Sequence, residues 1–245
     1  MKNVSINLET VGGIVAENIR NAEVLRAFGI DFCCGGRKTL EDACREKALD
    51  IDRVRQALAA AADDVSGIRP DFSAFTPSFL ADYIVNVHHA YVRQHIPVIL
   101  DLAEKVAVRH GAAHPFLHEI NSKANELAQE LLTHMKKEEQ VLFPAIKLLD
   151  SGHPLKVGFA TISIPIEVME SDHDLAGDLV KDIRLLSGDY TAPEGACNSM
   201  KLLYHKLEAF EHDLHLHIHL ENNILFPKAM QQERALHAGI TGSSC

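Results

Sequence analysis

The chain has 245 residues, enough for one large domain or two modest ones, and at this length a core forms without disulfide staples. Acidic side chains outnumber basic ones by 34 to 24, and the net charge of −10 argues against a nucleic-acid partner and a polybasic membrane anchor. No uncharged apolar run reaches the roughly 20 residues of a membrane span and the polar opening MKNVSINLET is no signal peptide, so a cytoplasmic protein is expected.

In chain order, a small helical unit comes first, expected over residues 1–66. Apolar spacing predicts a helix over Val11–Phe28. The turn after it carries DFCCGG, Asp31 to Gly36. Thr39 then caps a second helix to Lys47, with acidic residues in its first turn, and Asp52–Asp63 forms a third. Residues 67–77 read as a linker.

Beyond it the period is helical throughout. One long helix runs from about Thr76 to Arg109, with Phe79, Tyr83, Val87, Val92, Ile96, Ile99 and Leu102 on its apolar side. Gly111 and Pro115 interrupt it. A second runs from Pro115 to Leu149, a third from Pro165 to the turn at Ser187-Gly188-Asp189, and a fourth from Glu194 to Arg234. Four long helices with short to medium connections make an all-α, up-down-up-down four-helix bundle over residues 78–236, with a frayed tail at 237–245.

Fifteen histidines against no tryptophan is the compositional feature to explain. An internal repeat divides them. HMKKEEQVLFP, from His134 to Pro144, and HIHLENNILFP, from His217 to Pro227, share H-x-x-x-E-x-x-x-L-F-P at a separation of 83 residues. Residues i and i+4 lie about 40° apart around a helix, so each histidine projects with its glutamate. Leu127, Leu131 and Val141 share that face on the second helix, and Phe210, Leu214 and Ile224 share it on the fourth. Both pairs therefore point into the bundle, where two carboxylates need a cation or a proton.

His89 and His173 precede the two motifs by 45 and 44 residues, so a duplicated hairpin supplies one more histidine from each first helix. His88 competes with His89, since periodicity does not separate them and only the repeat spacing favours His89. His89, His134, Glu138, His173, His217 and Glu221 form a dinuclear metal site, suited to iron, with manganese or zinc as alternatives. Glu138 and Glu221 bridge, leaving positions for an oxo or hydroxo bridge and an exogenous small ligand. Glu170 reads as an outer or surface group. Glu130 and Asp213, each four residues before a motif histidine, either orient those rings or are solvated. His212, His215 and His219 are expected to face solvent. Pro144 and Pro227 mark kinks or stops beyond the site.

Adjacent cysteines make a poor staple, so Cys33 and Cys34 are read as redox, iron or nitric-oxide chemistry, with two small buried residues as the bland alternative. A helix terminus and Arg37/Lys38 would favour a thiolate there. Cys44, Cys197 and Cys245 show no partner pattern.

DFCCGG followed by TL, then HMKKEEQVLFP, ESDHDLAG and DLHLHIHLENNILFP, together resemble the repair-of-iron-centres (RIC) family, which includes the ScdA, YtfE and NorA types. The likeness runs from the vicinal cysteines to Pro227. It implies a cytosolic, hemerythrin-like non-haem di-iron protein of the nitrosative and oxidative stress response. The family's ligands fall on the same six residues, and its first ligand precedes a proline by eight residues, as His89 precedes Pro97. It associates Glu130 and Asp172 with an access path, although Asp172 stands where relatives often carry Glu. The implied function is repair of iron–sulfur clusters by iron donation, with damaged iron–sulfur proteins as recipients and nitric oxide or dioxygen as small ligand. A nitric-oxide sink or sensor, or a di-iron reductase of nitric oxide or peroxide, are the rival readings, and a homodimer is compatible with all three.

Overall fold

A computed structural model describes residues 10–62, 70–155 and 158–241. The N-terminal segment to residue 9, residues 63–69 of the connecting segment and linker, and the tail from residue 242, with Cys245, lie outside them. The described chain is all-α, a small helical domain followed by a helical bundle, and its one β-type contact is an isolated bridge between Thr10 and Thr39.

The small domain comprises α1 (Val11–Glu17), α2 (Asn21–Ala27), α3 (Leu40–Glu46) and α4 (Ile51–Ala62). The single helix expected over Val11–Phe28 is two. Asn18 takes an extended conformation, its side chain accepts from the Arg20 backbone N–H, and the Asn21 amide donates to Ile14 O at 2.9 Å. Local side-chain hydrogen bonds thus compete with the helical ladder and break it. Thr10 and Thr39 cap α1 and α3, each hydroxyl accepting a backbone N–H three residues on at 3.1 Å.

The long helical segments are α5 (Pro77–Ile84) leading into α6 (Ala90–His110), α7 (Phe116–Lys137) into α8 (Phe143–Asp150), α9 (Ser163–Leu186), and α10 (Asn198–Leu220) into α11 (Phe226–Thr241). Three of the four contain a wide i→i+5 turn, at Val85–His89, Glu138–Leu142 and Glu221–Leu225. Such turns insert one residue into the helical phase and recur at functional sites. They explain the misassigned faces. Val141, expected inward, is 45% exposed while Leu142 is buried, and Val87 is turned out while His88 and His89 are both buried. Phe79 is also exposed, and Leu80 and Ile84 take the inner face.

The chain divides into two compact units. One takes the residues up to Asp82, Phe143–Ile166, and the chain from Leu216 onward. Within it, Asp150 accepts from the Ser78 backbone N–H at 3.1 Å and from the Gln232 amide at 2.7 Å, tying the start of α5 to α11. Glu233 accepts from Ile162 N and Thr161 Oγ1 at the start of α9. The described part of the expected linker forms a short 3-10 turn, Phe72–Ala74, with Phe72 buried. Lys228 donates to the Ser73 and Phe75 carbonyls there, at 2.7 and 2.5 Å. The other unit holds Tyr83–Leu142 and Glu167–His215. Its core is aliphatic, including Ile96, Ile99, Leu127, Leu131, Val180 and Leu207, with Phe210 and Tyr204 as its large rings. Lys123–Asp182 and Lys137–Asp172 link α7 to α9, and Arg184 forks onto the buried Glu211 of α10.

Candidate metal centre

His89 closes the first wide turn, while Glu138 and Glu221 open the second and third. His134 and His217 stand one helical turn before the two glutamates, and His173 sits mid-way along the uninterrupted α9. All six residues are at most 2% exposed.

Their polar atoms converge. Oε2 of Glu138 is 3.3 Å from Nε2 of His89 and 3.2 Å from Nε2 of His134. The Nε2 atoms of His134 and His173 are 3.0 Å apart. Nε2 of His217 lies 3.1 Å from Oε1 of Glu221. Ligand atoms of His134, Glu138 and His173, all in the unit of Tyr83–Leu142 and Glu167–His215, fall within 4.8 Å of one another. His89 with Glu138 in that unit, and His217 with Glu221 in the other, are equally close. Two donors bound at roughly 2.1 Å to one metal sit about 3.0 Å apart at a right angle and about 3.4 Å apart in a tetrahedron. The observed spacings match that chord, so these donors fit metal coordination.

An outer layer orients the rings. Nδ1 of His89 is 2.7 Å from Glu139 Oε1, which also accepts from Arg93. Burial disfavours the Glu139 anion, but the Arg93 and His89 hydrogen bonds outweigh it and hold its carboxyl below the usual range. Nδ1 of His134 is 3.2 Å from Asp172, which accepts from Lys137 at 2.9 Å. The hydrogen bond from His134, aided by Lys137 against partial burial, holds Asp172 down at about 2. A carboxylate on Nδ1 leaves Nε2 as the metal-facing lone pair. Glu130 is half-buried one turn before His134, and the carboxylate on that ring is Asp172. Asp213, placed four residues before His217, instead meets His88 Nδ1 at 3.0 Å, which accounts for the second buried histidine of the His88-His89 pair.

Glu139 was not anticipated from the sequence, where it is masked by its neighbour Glu138. The signal was the wide turn, which brings two consecutive glutamates to the same histidine. His219, expected in solvent, is fully buried, stacks edge-on against Phe32 at 5.8 Å and has its pKa pushed down by burial to about 4. His212 and His215 are half-buried, and Glu170 is half-buried on α9. Cys197 has a partner after all, His110 Nε2 at 3.2 Å.

The vicinal cysteines sit in the turn between α2 and α3. Cys33 is buried and Cys34 half-buried, and with Asp31 they form a third group of convergent donors. The expected thiolate is contradicted at Cys33. Its thiol donates to Asp31 Oδ1 at 3.2 Å, and the hydrogen bond with Cys34, burial and the Asp31 charge all push its pKa well up.

An all-α bundle that buries repeated histidine–glutamate pairs has the donor set of a metal-binding protein. Accordingly, residues 80–229 match the hemerythrin HHE cation binding domain family, and residues 7–62 match a domain of unknown function, DUF542, of the ScdA N-terminal type. Over 225 residues, 92% of this chain and 98% of theirs, the chain is 34% identical to the iron-sulfur cluster repair proteins YtfE of Yersinia pestis (strain Pestoides F) and Yersinia pseudotuberculosis serotype O:1b (strain IP 31758). It belongs with them to the repair-of-iron-centres family.

Proposed function

We propose that the chain binds two non-haem irons and serves in the repair of damaged iron–sulfur clusters in the cytoplasm, as an iron donor under nitrosative and oxidative stress. The observation that carries this reading is the burial of four histidines and two glutamates whose ligand atoms stand at coordination spacing within each unit. His89 and His217 would complete one iron's ligands, and His134 and His173 the other's. Two bound irons supply redox chemistry and open positions for a small ligand. Two divalent ions held by Glu138 and Glu221 would leave a surplus of two positive charges, which Glu139 and Asp172 would soften from behind the rings. The name carried by the relatives supports cluster repair as the task. Among the described residues no helix is long and apolar enough to cross a membrane.

Cys33 and Cys34 assist the transfer or its redox control, with the half-exposed Cys34 as the point of entry. Metal analysis of the purified protein tests the first premise, with about two irons per chain expected. The second is tested by giving the ferrous protein to a [4Fe–4S] protein inactivated by peroxide. Recovery should outpace the same iron offered on a chelator, and equal recovery with His89→Ala overturns iron donation from this site.

A second reading, capture of nitric oxide without iron donation, is favoured by a small apolar cavity in the Tyr83–His215 unit. Ile96, Leu127 and Phe210 line it, each seven residues from a ligand histidine, on three different helices. An uncharged diatomic gas partitions into such a lining more readily than water does. Persistent stoichiometric nitrosyl spectra without iron release would select this reading. Nitrous oxide formed over many turnovers would instead mark a reductase.

A further inference from the structure

The wide turn that opens with Glu221 carries two asparagines, and the second is built into the cysteine turn. Nδ2 of Asn223 donates to the backbone carbonyls of Phe32 and Cys33, both at 3.2 Å, and lies 3.2 Å from Nδ1 of His219. His219 in turn hydrogen-bonds the Phe32 backbone and takes the Phe32 ring edge-on. On its other side the Asn223 amide oxygen fills space left by two glycines of the small domain. A Cβ at Gly12 or at Gly36 would collide with Asn223 Oδ1, and both glycines are buried. The Gly12 N–H donates to Gly36 O at 2.8 Å, closing the ring of backbone around the side chain. The arrangement is specific to a primary amide of this length. The two carbonyls need a donor, and the cleft between the glycines admits nothing bulkier.

We propose that Asn223 is a clasp that fastens the cysteine turn to the Glu221-bearing turn and thereby keeps Cys33 shielded, so that chemistry at the vicinal pair starts at Cys34 and reaches Cys33 only when the clasp opens. The burial of Cys33 against the partial exposure of Cys34 sets that order. Asn223 is a positioning residue, acting on the cysteine turn through its backbone. The inference does not depend on iron being bound or donated, since it concerns access to a thiol.

The test is site-resolved alkylation of the full chain by iodoacetamide, in which a thiolate sulfur displaces iodide, forming a C–S bond, and the thiol proton passes to the buffer. Tandem mass spectrometry separates Cys33 from Cys34. Cys44, buried in the same small domain, reports unfolding. In the wild-type chain Cys34 should react first and Cys33 slowly. In Asn223→Ala and Gly12→Ala, Cys33 should react about tenfold faster or more, because loss of donors to two shielded carbonyls raises the open population. Asn223→Asp keeps the volume but turns an acceptor on those carbonyls, so it should act at least as strongly as Asn223→Ala. An unchanged Cys33 rate in Asn223→Asp overturns the clasp. A parallel rise at Cys44 in all three variants also overturns it, by showing general loosening of the small domain.

Discussion

Glu138→Gln should stabilise the metal-free chain while destroying its response to metal, an inversion that follows from where the carboxylate sits. Glu138 has no solvent exposure and faces Nε2 of His89 and Nε2 of His134 at 3.3 and 3.2 Å. Without metal, an ionised carboxylate here loses several kcal/mol of hydration. Imidazole N–H groups return about 1.5–3 kcal/mol per charge-assisted hydrogen bond, and only in tautomers that turn their N–H inward. The balance is a net cost of about 1–3 kcal/mol, which glutamine of the same shape removes. For a chain of this size each kcal/mol moves the melting temperature by about 2–4 °C, so the metal-free variant should melt roughly 2–12 °C higher. Ferrous iron at a thousandfold excess over its Kd stabilises the native wild type by about 4 kcal/mol. The variant lacks the buried anion that faces His89 and His134 and should gain little, so loading reverses the order of the two proteins. Calorimetry under anoxia, with chelator and then with ferrous iron, reads both effects. If metal-free Glu138→Gln melts below metal-free wild type, the carboxylate is a satisfied structural group and the reasoning fails.

Asp172→Asn removes the anion from Nδ1 of His134 and should weaken iron binding by about 10–100-fold in chelator competition, whereas unchanged affinity would show that Lys137 and not the ring is its relevant partner. Pro144→Ala should raise helicity by circular dichroism yet lower iron stoichiometry, because the α-helical phase can run on through Glu138; full loading would detach the wide turn from the site. Asp150 is held below the usual carboxylate range, the hydrogen bonds from Ser78 and Gln232 overcoming its burial. A depressed folded pKa gives stability that is present above the unfolded value of about 3.9 and is lost as pH falls through the folded value, so the urea stability gap between wild type and Asp150→Asn should hold from pH 8 to 5 and close below pH 4. A gap that widens in acid would reverse the assignment.

The legible parts of the sequence were those that repeat or alternate. Helix positions followed from apolar period, four of the six buried donors from a motif recurring 83 residues apart, and His89 and His173 from their near-equal distances ahead of it. What could not be read was phase. Counting at 3.6 residues per turn put Val87 and Val141 inside, where each wide turn has moved the next residue, His88 or Leu142, into the core. The same shift hid Glu139, which an unbroken helix would rotate away from His89. His219 was illegible for another reason. It is two residues from a ligand on its own helix, and what buries it is Phe32, from a distant part of the sequence. The thiolate expectation failed likewise, since basic neighbours in sequence weigh less than Asp31 in hydrogen-bond contact.

The wide turns themselves leave a trace that can be argued from single residues. Pro144 and Pro227 each stand six residues past the glutamate of the repeat and two past the end of a wide turn. Proline has no N–H for the carbonyl four residues back, and its ring crowds that carbonyl, so an α-helix meeting it must kink or widen. Widening ahead of the ring relieves the crowding and at the same stroke sets the phase in which Glu138 and Glu221 face the histidines. The α9 helix fits the converse. It supplies one of the buried donors, His173, without a paired glutamate, and it runs unbroken past that residue. A proline inside a helix costs about 3 kcal/mol relative to alanine, a local loss of the kind tolerated where geometry serves a site. In the fourth long segment the loss secures two things together, because Asn223 lies in the same turn as Glu221. The register that Pro227 imposes on the carboxylate is also the register that holds Asn223 against the Phe32 and Cys33 carbonyls. A shift of that turn by one residue would therefore displace the buried Glu221 carboxylate and the fastening of the cysteine turn in a single motion.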